Sequence, residues 1–249
     1  MTACWRQADG DGRPVVLVHG TMDRSSSFAR VAKYLDGFRV VRYDRRGYGR
    51  SLGLGPPSSF DDQVADLLEV LDAEAPEPAV VFGHSYGGTI GLAVAQRAPD
   101  RVAALIAYEC PLSWMPWWPA DSAGGRAVAA SEDPEGAGEA FMRRMIGDRR
   151  WERLPRSTRE ARRAEGRTLV AEIAQLRPPH PVPVDLSAVR VPVVAAHGTE
   201  GIAYHHRAAR TVADEVPGAR LAVVEGAGHG VHLTHPRQVA ELVRDVAAT

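Results

Sequence analysis

The stretch Ala79-Val80-Val81-Phe82-Gly83-His84-Ser85-Tyr86-Gly87-Gly88 decides the reading of this 249-residue chain. Ala79 to Phe82 is a short apolar run behind Pro78, the pattern of a buried strand. Tyr86 to Ala98 is a small-residue segment stopped by Pro99, the pattern of a helix. Between them stands a serine at the tip of a tight strand-to-helix turn. Such a turn needs small neighbours, and Gly83 and Gly87 supply them. It lifts the serine Oγ above the sheet edge and aims the helix N-terminus at it. The backbone N–H of Tyr86 can then donate to a developing oxyanion.

The same rhythm extends in both directions. Val15–Val18, Arg39–Tyr43, Val102–Tyr108, Val191–Ala196 and Leu221–Val224 read as further strands. Ser26–Leu35, Asp61–Leu71, Ala203–Val216 and Pro236–Ala248 read as helices between them. Strands alternating with helices of this length predict an α/β fold, a mostly parallel sheet covered on both faces. In such sheets ligands collect at the carboxyl ends of the strands. Six to seven strands are expected, because the first fifteen residues are too short for a full opening hairpin.

Residues 112–185 break the rhythm and predict a helical cap inserted into a core of residues 1–111 and 186–249. The insertion opens on Trp114, Met115, Trp117 and Trp118, whose apolar bulk suits either substrate binding or gluing the cap to the sheet. From Glu139 to Glu172 it holds ten Arg and six acids, the pattern of a solvated, ion-paired helix face. A docking surface for an acidic partner or a phosphate-bearing substrate is the minority reading.

Composition excludes several classes. Apolar residues make up 45% and charged residues 24%, ordinary for a globular protein and against disorder. The formal net charge of −1 leaves no global field to hold nucleic acid or an anionic membrane. No stretch approaches the length of a membrane span, and the N-terminus shows no secretory h-region. Cys4 and Cys110 are expected as reduced thiols of a cytoplasmic protein, Cys110 as an inert core thiol. A monomer or homodimer acting on a small molecule fits these bounds.

Two more segments fit the serine turn. Val18-His19-Gly20-Thr21 follows the first strong strand, and the Thr21 N–H is the candidate second oxyanion donor. Gly226-Ala227-Gly228-His229-Gly230 follows the last strand, and His229 is the candidate base, favoured over His232 and His235 by its bracketing glycines. His180, His197, His205 and His206 read as surface or packing histidines, and His19 and His84 as shapers of loops.

With His19-Gly20, the turn Asp44-Arg45-Arg46-Gly47-Tyr48-Gly49-Arg50-Ser51, the Ser85 elbow and Gly228-His229 quoted, the chain resembles the α/β-hydrolase-fold enzymes over nearly its whole length. The resemblance implies a serine nucleophile at Ser85, a base at His229, a structural role for Asp44–Ser51 and a cap after Tyr108. Ser85 argues against the chemistry of the Asp-nucleophile members, the dehalogenases and epoxide hydrolases. One feature departs from the pattern. The usual acid is the Asp of a Gly-x-x-Asp after the post-cap strand, and here that segment reads Gly198-Thr199-Glu200-Gly201. Glu109, directly after the strand ending at Tyr108, and Glu200 are the two candidate acids, with Glu109 preferred because an imidazolium would compensate its burial.

These features predict a serine hydrolase that cleaves an ester, thioester or lactone of a small apolar substrate through an acyl-enzyme on Ser85, with no metal or organic cofactor. The alternatives are a cofactor-free perhydrolase or haloperoxidase-like enzyme and a non-catalytic ligand-binding protein of the same fold.

Overall fold

The computed structural model describes residues 3–248. Its centre is a seven-stranded sheet: β1 (Arg6–Asp9), β2 (Arg13–Val18), β3 (Phe38–Tyr43), β4 (Ala79–His84), β5 (Val102–Tyr108), β6 (Val193–Gly198) and β7 (Arg220–Val224). The spatial order is β1-β3-β2-β4-β5-β6-β7. All neighbours are parallel except β1, which runs antiparallel along β3 from Arg6 opposite Tyr43 to Asp9 opposite Val40. This mostly parallel sheet, covered by helices on both faces, is the α/β-hydrolase fold.

The helices follow in chain order: α1 (Ala29–Ala32), α2 (Phe60–Glu74), α3 (Tyr86–Arg97), α4 (Ala123–Ala129), α5 (Pro134–Ile146), α6 (Asp148–Glu152), α7 (Arg156–Ala164), α8 (Gly166–Gln175), α9 (Ala203–Glu215), α10 (Val231–Thr234) and α11 (Pro236–Ala247). The two-residue period of the strands splits the core in two. Ala79 and Val81 face a layer with Leu67 of α2, Ile90 of α3 and Val212 of α9. Val80 and Phe82 face a layer with Phe28, Val31 of α1 and Val243 of α11. The central strands β2, β4, β5 and β6 are near-continuously apolar because both of their faces are buried.

The helix expected over Ser26–Leu35 is instead a 3₁₀ turn, Ser25–Phe28, followed by the four-residue α1. The serines explain the difference. Ser27 Oγ donates to the Arg24 carbonyl at 2.8 Å and to Asp23 at 2.9 Å, bonds that compete with a regular helix start. Strand β1 did not stand out in the sequence, because Arg6-Gln7-Ala8-Asp9 is a polar edge strand.

Helices α4 to α8 lie between β5 and β6 and carry a small apolar cluster of their own. Trp151 and Leu169, both fully buried, pack there with Met22 and Tyr48 from the loops after β2 and β3. The Arg-rich face is laced with ion pairs, among them Arg143 with Glu139, Asp148 and Glu152, and Arg159 with Glu152. Among the described residues no helix is long and apolar enough to cross a membrane.

Candidate active site

Ser85 occupies the junction between β4 and α3 with φ 52 and ψ −126, a left-handed conformation that a non-glycine residue rarely adopts. Its N–H donates to the Tyr108 carbonyl of β5 at 2.8 Å, which anchors the bend to the neighbouring strand. The tightness of the turn is visible at Gly83. A Cβ there would lie 2.5 Å from the Gly87 carbonyl oxygen and the Gly88 Cα, so only glycine fits. The side chain of Ser85 is half-buried, and the Tyr86 N–H is one of the unpaired first-turn donors of α3.

Three loops at the carboxyl edge of the sheet meet this serine. From β2 come His19, Gly20 and Thr21; from β5 comes Glu109; from β7 comes His229. Glu109 is fully buried and held at φ 44. Its N–H donates to the Ala196 carbonyl at 2.8 Å, and its Oε1 accepts from the Gly198 N–H at 3.1 Å. Its Oε2 lies 2.7 Å from His229 Nδ1. A carboxylate only accepts, so Nδ1 carries the hydrogen, and it is the neutral ring of that tautomer that has its lone pair on Nε2.

The loop bearing His229 is held from below. The His84 ring Nε2 donates to the His229 carbonyl at 2.7 Å, and the Tyr108 hydroxyl donates to the Gly228 carbonyl at 2.9 Å. Burial, followed by the nearby His232 and His229, pushes His84 well below the usual imidazole range and keeps it neutral. On the other side the His205 ring stacks on His229 with centroids 4.6 Å apart and 21° between planes. Burial, with His229 close by, likewise pushes His205 well below its usual range.

The segment Gly198–Gly201 explains the departure from the family pattern in steric terms. A Cβ on Gly201 would overlap Oε1 of Glu109 and lie 2.8 Å from Nε2 of His206. The Glu109 carboxyl thus fills the space that a side chain at 201 would need. Glu200 is exposed, with its backbone N–H bound to the Ala227 carbonyl at 2.9 Å. His232 sits apart from Glu109, with Nε2 3.1 Å from Asp23, and His235 bonds Thr234 at 2.8 Å.

Ser85, His229, Thr21 and Tyr86 line one cleft enclosing about 680 Å3, part of it open to solvent. Its remaining wall is largely apolar, and among the described residues no Arg, Lys, Asp or Glu side chain lines it. Phe141 and Met145 come from α5, Ile173 from α8 and Ile202 from the turn before α9. Of the four apolar residues that open the insertion, Trp118 lines the cleft. Trp114, Met115 and Trp117 pack against the α2–α3–α9 side of the core. Trp117 also carries the Arg207 guanidinium 4.4 Å from its ring centroid.

Tyr204, which did not stand out in the sequence, and His205, expected there as a surface or packing histidine, both line the cleft. Their one visible signal is position, since they open the helix after β6 at the sheet's carboxyl edge. Cys4 and Cys110 are free and buried. Burial pushes both thiols up to about 12, far from thiolate chemistry.

The chain can be placed among known proteins. The pimeloyl-acyl-carrier-protein methyl ester esterase of Aliivibrio salmonicida is 38% identical over 106 residues, 42% of this chain and 39% of that protein. That match is local, and the chain spans well under two thirds of that relative's length. The rhodomycin D methylesterase DauP of a Streptomyces species is 30% identical over 237 residues, 79% of this chain and 77% of that one. The enol-lactonase of Burkholderia xenovorans LB400 superposes with a TM-score of 0.75 at 24% identity, covering 98% of this chain and 96% of that one, a likeness of fold. The pattern of the alpha/beta hydrolase family matches residues 15–242, most of the chain including all the loops that meet at Ser85, and the protein belongs to that family.

Proposed function

We propose that this protein is a serine hydrolase that cleaves the ester, thioester or lactone bond of a small apolar substrate through an acyl-enzyme on Ser85. The observation that carries the reading is the 2.7 Å contact of buried Glu109 with His229, which lines the same cleft as a serine at a strained elbow. His229 Nε2 takes the Ser85 proton as Oγ attacks the acyl carbon. Glu109 holds the productive tautomer and compensates the imidazolium. The N–H groups of Thr21 and Tyr86 receive the charge that develops on the carbonyl oxygen. His229 returns the proton to the leaving group, then activates water to release the acid. The steps call for no metal or organic cofactor.

The absence of charged side chains from the cleft wall among the described residues favours an uncharged acyl group. Residues 112–185 act in this reading as a cap, supplying Trp118, Phe141, Met145 and Ile173 to the acyl site. Ester cleavage is supported by the methylesterase relative, which matches most of the chain. A fluorophosphonate probe tests the proposal. Wild-type protein should gain one adduct, located on the peptide containing Ser85, and Ser85→Ala should gain none. An unlabelled wild type would refute it.

A further inference from the structure

The three residues of the loop after β2 are pinned by one buried network. The His19 carbonyl accepts from Arg45 Nε at 2.9 Å. The His19 ring accepts the Arg45 backbone N–H at Nε2, 2.9 Å, and donates from Nδ1 to the Gly20 carbonyl at 2.8 Å. That double role needs a neutral ring, and burial, reinforced by the Arg45 charge, lowers the His19 pKa to about 3. The Thr21 hydroxyl donates to Glu172 Oε2 at 2.7 Å.

Glu172 closes the network and belongs to α8, outside the sheet domain. Its Oε1 accepts from Arg45 Nη1 and from Gln63 Nε2, the latter at 3.1 Å. Its Oε2 accepts from Tyr48 OH at 2.8 Å as well as from Thr21. A carboxylate offers about four acceptor sites, and all four are used. Glu172 and Arg45 are both fully buried. One carboxylate from the insertion therefore gathers donors from the loops after β2 and β3 and from α2. Seven residues earlier, at the junction of α7 and α8, Glu165 is also fully buried. It accepts from Arg24 Nη2 at 2.7 Å and from the Gly49 N–H at 3.0 Å. Withdrawing α8 would strand two buried charges and their partners, so the helix is either seated with both pairs made or displaced with neither.

We infer that Glu172 is a positioning residue: it fixes Thr21 from the insertion, so that the oxyanion loop is in place only while α8 is seated. This rests on the assignment of the Thr21 N–H as an oxyanion donor. An insertion that merely roofs the cleft would alter substrate binding. One that positions an oxyanion donor acts on the transition state, where charge sits on the oxygen.

The test separates these effects. Thr21→Val keeps the backbone N–H and side-chain shape and deletes only the hydroxyl; Thr21→Ser keeps the hydroxyl. With a p-nitrophenyl ester, Thr21→Val should lower kcat at least tenfold with KM within twofold of wild type, and Thr21→Ser should recover most of the loss. The rate of fluorophosphonate labelling should fall in parallel, because phosphonylation loads the same oxyanion site. Glu172→Gln cannot serve four donors and should also lower kcat; Glu172→Asp, one methylene shorter, is the second variant should the amide not fold. Combined with Thr21→Val, either should add clearly less than its own loss in the wild-type background, the signature of two residues coupled through a shared bond. Thr21→Val within twofold of wild type in kcat, or losses that multiply, would overturn the inference. A wild type that takes no probe at all would instead refute the Ser85 assignment.

Discussion

Glu109→Gln is the sharpest perturbation of the site, because the two carboxyl oxygens have different partners. Oε1 accepts from the Gly198 N–H at 3.1 Å, and Oε2 accepts from His229 Nδ1 at 2.7 Å. An amide has a single oxygen to share between them. Turned with its NH2 toward Gly198, it sets two donors against each other in a fully buried place, at about 1–3 kcal/mol. Turned the other way, it keeps the Gly198 bond and donates to His229, which can respond by moving its hydrogen to Nε2. The second arrangement strands nothing, so it should dominate. Nε2 then carries a hydrogen where the proposed proton transfer from Ser85 needs a lone pair. In a serine triad the wrong tautomer lowers turnover about 10⁴-fold, roughly 5 kcal/mol of transition-state stabilisation. The variant should remain folded, with a melting temperature close to wild type. The assay is steady-state hydrolysis of a p-nitrophenyl ester from pH 6 to 9 beside a thermal melt. Glu200→Gln serves as the control and should stay within twofold of wild type, since that side chain is exposed. A folded Glu109→Gln retaining kcat within tenfold of wild type would refute the reasoning.

Other consequences are open to direct measurement. Gly201→Ala places a Cβ on Oε1 of Glu109 and should push the carboxylate off His229, lowering kcat about 10²-fold, and unaltered kinetics would contradict that steric account. Trp151 is fully buried in the cluster of the inserted helices, and Trp151→Ala should cost about 3–5 kcal/mol in urea unfolding. Stability should fall as pH falls from about 6.5. The folded protein holds His19, His84 and His205 neutral through burial, with pKa values below those of the unfolded chain, so only the unfolded state takes up these protons. Each contributes about 1.4 kcal/mol per pH unit in that window, and nothing above it. Urea titrations at pH 7, 6 and 5 showing no proton uptake on unfolding would sink this reading.

The legible and illegible parts of the molecule divide along a physical line. β2, β4, β5 and β6 could be read because strands buried on both faces show as Val-, Ala-, Leu- and Ile-rich runs, and β3 and β7 because each keeps a short β-branched stretch, Val40-Val41 and Val223-Val224. β1 could not, since a polar edge strand resembles a loop. The elbow was legible because the geometry of the turn dictates Gly83 and Gly87 at fixed offsets from Ser85. Glu172 and Glu165 were not. Their segment reads as a solvated Arg-rich face, and a buried carboxylate looks the same in sequence as an exposed one until its partners from distant loops are known. Asp44 is a buried carboxylate too, but it stands in the turn that the family resemblance marks as structural. Its Oδ1 accepts from the Ser25 N–H and its Oδ2 from the Arg50 N–H, so it organises two loops without chemistry of its own.

The backbone carries a further regularity. Among the described residues the non-glycine positions with positive φ are Met22, Ser85 and Glu109, at 56, 52 and 44. All three lie just beyond the carboxyl ends of strands, namely β2, β4 and β5, and all three are at or beside the groups assigned to the reaction. Each such conformation stores about 1–3 kcal/mol and persists only where its surroundings over-determine it. For two of them the restraint is identifiable. Ser85 N–H is bound to Tyr108 and Glu109 N–H to Ala196, in each case the carbonyl of the next strand across the sheet. The sheet's own ladder thus continues one residue past its regular end and holds Ser85 and Glu109 in conformations that neither would adopt alone. The third, Met22, has a different anchor: its side chain packs under the inserted helices with Trp151 and Leu169, and its carbonyl accepts from Arg162 at 3.0 Å. The half of the site built on β4 and β5 is therefore rigid by virtue of the sheet, while the half built on the loop after β2 depends on helices that arrive from the insertion. Any opening of those helices should loosen the loop after β2 and leave the Glu109–His229 pair intact.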